Sequence, residues 1–144
     1  MENAASRVPL KNDTAKKMKV LVVDDDYLIR TVLTRIMGDE GFEATAADSL
    51  ANAEAHLHEN SFDLVITDIM LSDARPKEGL ALARKIRSAW PETRVVAMTG
   101  RGSEDMRREA MQCGVLWFYE KPFDIVVFTE RVANLFKNTV NCRC

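Results

Sequence analysis

Three consecutive acids, Asp24, Asp25 and Asp26, follow the β-branched run Val20 to Val23, and a further acid, Asp68, closes the apolar run Leu64 to Thr67. Thr99 closes a third run, Val95 to Met98, and Lys121 stands just past a fourth, Val115 to Tyr119. Short apolar runs of this kind read as strands. If the strands are parallel, every carboxyl end reaches the same sheet edge, where ligands bind at the point of winding reversal. Two carboxylates about 5 Å apart repel by roughly 3 kcal/mol at an effective dielectric of about 20, so gathering three of them calls for a cation. Oxygen ligands with positions left for water and phosphate suit Mg²⁺, whereas zinc would draw on His or Cys. His56 and His58 lie away from this edge, two apart on a predicted helix, and so on different faces of it.

An aspartate beside a divalent cation and a lysine can act as a nucleophile toward phosphorus, because both positive charges stabilise the transferring oxygens. Asp68 is the acid that ends the central run, and Thr99 and Lys121 can bring a hydroxyl and an ammonium from neighbouring strands.

Segments of helical period must separate these strands. Leu28, Ile29, Val32, Leu33, Ile36 and Met37 form an apolar stripe that Asp26 caps and Gly41 stops. A second strand over Phe42 to Ala46 leads to a helix opened by Asp48 or Ser49 and carrying Leu50, Ala53 and Leu57. Leu80, Ala83 and Ile86 mark a third helix ended by Trp90 and Pro91. Ser103 caps a fourth through Met111, with Glu104 and Asp105 in its first turn, and Gly114 stops it. Phe128, Val132, Leu135 and Phe136 define the fifth. Five strand and helix units in alternation predict an α/β domain around a parallel sheet.

The 144 residues, 47% hydrophobic and 29% charged, suffice for one core. The expected division is a flexible extension over 1–17, one domain over 18–138 and a tail over 139–144, with no output domain attached. The net charge of -2 gives no field for nucleic acid. Neither a signal peptide nor a membrane span is legible, so a soluble cytoplasmic protein is expected. Cys113, Cys142 and Cys144 are odd in number and read as reduced thiols; the last two supply half of a usual zinc site.

The stretches Val22-Val23-Asp24-Asp25-Asp26, Asp63-Leu64-Val65-Ile66-Thr67-Asp68, Met98-Thr99-Gly100 and Glu120-Lys121-Pro122-Phe123 together resemble the receiver domain of two-component response regulators, over about Lys19 to Phe136. The resemblance implies a flavodoxin-like, doubly wound five-stranded parallel sheet of order 2-1-3-4-5 with five helices. It implies a phosphorylation switch and no enzyme acting on other substrates. Asp68 would accept a phosphoryl group from a sensor histidine kinase or phosphotransfer protein. Mg²⁺ would be held by Asp25, Asp68 and the backbone carbonyl of Met70, with Asp24 acting through a water. Thr99 and Lys121 would contact the phosphoryl oxygens, and Phe118 would turn inward as Thr99 moves. A downstream protein would bind the face of the fourth helix, fifth strand and fifth helix, with phosphorylation-dependent dimerisation among the outputs. A cis bond between Lys121 and Pro122 is also implied.

Some residues depart from that pattern. Ser72 stands where proline is common, the loop from Asp68 to Gly79 is longer than usual, Phe118 replaces a tyrosine, and Gly100 replaces a small side chain. Asp26 reads as a helix cap, Asp63 and Asp73 as solvated loop acids, and Arg101, Arg107 and Arg108 as a basic surface that is either a solvated face or a docking patch for an acidic partner. A phosphatase would need an acid where Met70 stands. A dinucleotide-binding fold would need glycines where Asp24-Asp25-Asp26-Tyr27 stands. A receiver-like module that binds partners without being phosphorylated is a third alternative.

Overall fold

The computed structural model describes residues 17–71 and 77–142, with the side chains of 137–142 excepted. The expected extension up to residue 16, Ser72, Asp73, Cys144 and the side chain of Cys142 lie outside the described residues. The chain runs β1 (Lys19–Val23), α1 (Tyr27–Asp39), β2 (Glu43–Ala47), α2 (Leu50–Glu59), β3 (Leu64–Asp68), α3 (Glu78–Ala89), β4 (Arg94–Thr99), α4 (Glu104–Gln112), β5 (Trp117–Glu120) and α5 (Ile125–Cys142). All strand pairs are parallel and the order is β2-β1-β3-β4-β5, as the resemblance implied. The chain therefore winds one way from β1 to β2, then crosses back over β1 to β3 and continues the other way to β4 and β5. That reversal opens a cleft beyond the carboxyl ends of β1 and β3.

The period-2 alternation of the strands divides the core into two layers. Leu21, Val23, Val65, Val95 and Ala97 pack against Ala53 and Leu57 of α2, Leu80, Leu82 and Ile86 of α3, and Ala110 of α4. Val20, Val22, Leu64, Ile66, Val96 and Met98 pack against Leu33 and Met37 of α1 and Phe128, Val132 and Phe136 of α5. Being covered on both faces, β3 is buried along its whole length, which is why its sequence reads as a continuous apolar run.

The expected caps form. The Asp26 carboxylate accepts the Leu28 and Ile29 N–H groups, Ser49 accepts that of Asn52, and Ser103 accepts that of Met106. Lys121-Pro122 is cis. Four boundaries or faces differ from expectation. β5 begins at Trp117 rather than Val115, because the Val115 N–H bonds back to Ala110 O (3.3 Å) at the end of α4, and Leu116 is the first residue to reach Val95 O (2.7 Å). β2 begins at Glu43 because the Phe42 N–H is taken by Met37 O (3.1 Å). Leu28 does not join the α1 stripe: it is 67% exposed, since Leu33 and Met37 fix the buried face and Ile29 is the residue in phase with them. Helix α5 continues to Cys142, through the start of the segment expected as a tail.

Asp63 is not a solvated loop acid. Its Oδ2 accepts the Lys19 N–H (2.8 Å), its own N–H donates to Lys19 O (2.8 Å), and its carbonyl accepts the Arg94 N–H (3.0 Å). It stitches the starts of β1, β3 and β4 at the end of the sheet away from the cleft.

Candidate phosphoryl-transfer and metal site

Asp24, Asp25 and Asp68 each present one carboxylate oxygen, and these atoms lie within 4.8 Å of one another. Asp24 (0% exposed) and Asp68 (6%) are buried, while Asp25 is exposed at the cleft mouth. The Lys121 ammonium donates to Asp24 Oδ2 (2.8 Å) and Asp68 Oδ2 (2.9 Å), so one cation joins the ends of β1 and β3. The remaining oxygens are oriented by backbone: Asp24 Oδ1 accepts the Asp26 N–H (2.9 Å) and Asp68 Oδ1 accepts the Met70 N–H (3.0 Å). Thr99 is fully buried at the end of β4, and its Oγ1 accepts the Arg101 N–H (3.2 Å). The Lys121 N–H donates to Thr99 O (2.7 Å), fixing the lysine beside that strand. Phe118 is half-buried on the sheet face that carries α2, α3 and α4, whereas Trp117 and Tyr119 face α5.

Burial lifts the Asp68 carboxyl above its ordinary 3.8, and the Lys121 ammonium offsets only part of this. Desolvation, followed by repulsion from Asp24, lifts Asp25 as well. Burial alone would lower the Lys121 ammonium, but its bonds to Asp24 and Asp68 outweigh that and hold it above 10.5. A raised carboxyl pKa in the folded state means that the fold binds that proton more tightly than the unfolded chain. The contribution of Asp68 to stability is then complete below 3.8 and is lost as pH rises through its folded value. Without divalent metal, wild-type protein should therefore lose stability relative to Asp68→Asn as pH rises above 3.8, which denaturant unfolding of both proteins across that range will read.

Two supporting residues were not legible in the sequence. Arg30 Nη1 donates to Asp24 O (2.8 Å), holding the turn that carries the acids. Gly79, in the first turn of α3, lies directly on the strand end that carries Asp68. Its N–H donates to Ile69 O (2.8 Å), and a Cβ there would stand 2.1 Å from Asp68 O and 2.5 Å from Ile69 Cα. A glycine opening an apolar-periodic helix was the available signal. Gly79→Ala must displace backbone, and forced packing of this kind costs about 1–3 kcal/mol. Urea unfolding of the variant should show that loss of free energy as a lower midpoint with unchanged slope.

The family model described as the response regulator receiver domain matches residues 20–133. The chain belongs to that family. The receiver domain is 35% identical over 124 residues to the transcriptional regulatory protein AruR of Pseudomonas aeruginosa, an alignment that covers 83% of this chain and 49% of AruR. It thus spans about half the length of that relative. The crystal structure of the receiver domain of NtrX from Brucella abortus is 35% identical, with a TM-score of 0.70, covering 80% of this chain and 98% of that one. The beryllofluoride-activated NtrC4 receiver domain dimer is 29% identical, with a TM-score of 0.71, covering 82% and 98%. Phosphorylation-activated switching is the general function of receiver domains, which take phosphoryl groups from histidine kinases and bind Mg²⁺ at an acidic pocket. The all-oxygen cluster of Asp24, Asp25 and Asp68 fits such an ion. No helix among the described residues is long and apolar enough to cross a membrane.

Proposed function

We propose that this receiver domain is a Mg²⁺-dependent switch that takes a phosphoryl group onto Asp68 from the phosphohistidine of a sensor kinase or phosphotransfer protein. The observation that carries this reading is Lys121 bridging Asp24 and Asp68 at 2.8 and 2.9 Å, which draws the acids into one group and neutralises part of their charge. Asp68 presents its carboxylate at the cleft with Oδ1 held by the Met70 N–H. A carboxylate oxygen forms the new bond to phosphorus, and the bond from phosphorus to the donor imidazole nitrogen breaks, the nitrogen keeping the electron pair. Asp25, Asp68 and the Met70 carbonyl would hold Mg²⁺ directly, with Asp24 acting through a water. The ion would supply charge stabilisation to the transferring oxygens.

Thr99 then donates its hydroxyl to a phosphoryl oxygen, Lys121 pairs with another, and Phe118 fills the volume that Thr99 leaves. The signal passes to a downstream protein through α4, β5 and α5, and the same face serves a phosphorylation-dependent dimer. Incubation with acetyl phosphate should give a phosphorylated protein with Mg²⁺ and none with EDTA; equal labelling in both rejects the reading. Met70 and Arg101 flank the site, and exchanging either for a carboxamide residue should change the decay of the phosphorylated form severalfold, as followed by time-resolved dephosphorylation.

A further inference from the structure

Helix α4 is thinly seated. Of its nine residues only Ala110 is buried, whereas α3 buries Gly79, Leu80, Leu82, Ala83 and Ile86. Apolar area removed from water is the main source of helix docking energy, and an alanine supplies little of it. Met106 adds a partly buried contact, and polar contacts from α3 and its N-cap residue Lys77 supplement these. Lys77 Nζ lies 2.8 Å from Glu109 Oε1, and Arg84 Nη2 lies 3.3 Å from Glu109 Oε2. Arg87 Nη1 donates to Gln112 O (2.7 Å) at the end of α4, while its aliphatic stem lies against Gly114, where a Cβ would meet Arg87 Cδ at 2.8 Å. Both Glu109 oxygens are engaged, and the Lys77 hydrogen bond, set against a small desolvation cost, holds its carboxyl below the usual 4.5 and hence charged.

The two sides of this seam are anchored to different strands. Lys77 stands two residues before Gly79, whose N–H is bonded to Ile69 O directly after Asp68. Helix α4 instead follows β4, through the turn in which Thr99 accepts the Arg101 N–H and Ser103 caps the helix. Helix α3 is thus tied to the end of β3 and α4 follows the end of β4, so the seam joins elements that belong to different strands.

We propose that the Lys77–Glu109–Arg84 seam is a brake: it holds α4 against α3 in the unphosphorylated arrangement and opposes the movement that phosphorylation of Asp68 requires. This rests on the phosphorylation reading given above. An exposed ion pair of this type biases a two-state equilibrium by about two- to fivefold per leg, so the seam tunes the switch and does not lock it. The Arg108–Asp105 pair, which lies within α4 alone, spans no boundary and serves as a control.

The test is the affinity for beryllofluoride, with Mg²⁺, of wild-type protein, Glu109→Gln, Lys77→Met/Arg84→Met and Asp105→Asn, with amide hydrogen exchange of α4 alongside. Glu109→Gln and the double variant, which opens the seam from its other side, should bind severalfold more tightly and exchange faster in α4, with strand amides unchanged. Their advantage over wild type should shrink at high salt, where exposed pairs are screened, and Asp105→Asn should match wild type. Uptake by wild type with unchanged or weaker affinity in both seam variants overturns the brake alone. Wild-type protein that takes up no beryllofluoride overturns the phosphorylation reading and the brake with it.

Discussion

Asp68→Ala should reduce Mg²⁺-dependent labelling by acetyl phosphate to background while leaving the fold intact. Asp68 closes the central strand, 6% exposed and in register with Met98 of β4, one residue past the Thr67–Val23 pair with β1, so no other carboxylate can take its place without moving a strand. Asp24 is 0% exposed and so closed to an incoming donor, whereas Asp25 is exposed to water at the cleft mouth. Intact-protein mass spectrometry reads the outcome directly, and undiminished labelling of the variant would reject Asp68 as acceptor.

Lys121→Met is expected to have the largest effect on stability. The Lys121 side chain is 16% exposed and stands between carboxylates that are 0% and 9% exposed. Removing one partner from such a group leaves buried charge unpaired, a change that costs about 3–5 kcal/mol when the partners are fully buried. Here the lower end applies, because Asp68 retains some access to water and its already raised carboxyl can take up a proton. Mg²⁺ should restore part of the loss, since a cation in the same cluster answers the same repulsion. Urea unfolding with and without MgCl₂ checks both statements: the variant should gain more from the metal than wild type does. A variant as stable as wild type in EDTA would mean that the ammonium contributes no compensation.

Much of this arrangement could be read from residue order. Strand ends carrying Asp24, Asp68, Thr99 and Lys121 follow from apolar runs that stop at polar residues, and Asp26, Ser49 and Ser103 cap helices through contacts two or three residues away. Such features are local, so pattern alone specifies them. Contacts between distant segments were not legible in the same way. Asp63 lies 44 residues from Lys19, whose N–H it accepts, and nothing in its surroundings in sequence separates it from a solvated acid such as a loop would carry. Glu109 meets Lys77 and Arg84 only because α3 and α4 lie side by side, and Gly79 matters because a helix start crosses a strand end. The starts of β2 and β5 slipped because Phe42 and Val115 give their N–H groups to the preceding helix, a competition that apolar character does not register.

The account depends most directly on the three carboxylates binding Mg²⁺ as one group. An NMR titration of wild-type protein with MgCl₂ should give saturable amide shifts centred on residues 24–26 and 68–70, and these should be lost in Asp25→Asn. Absence of saturation, or shifts centred on another part of the molecule, would contradict it.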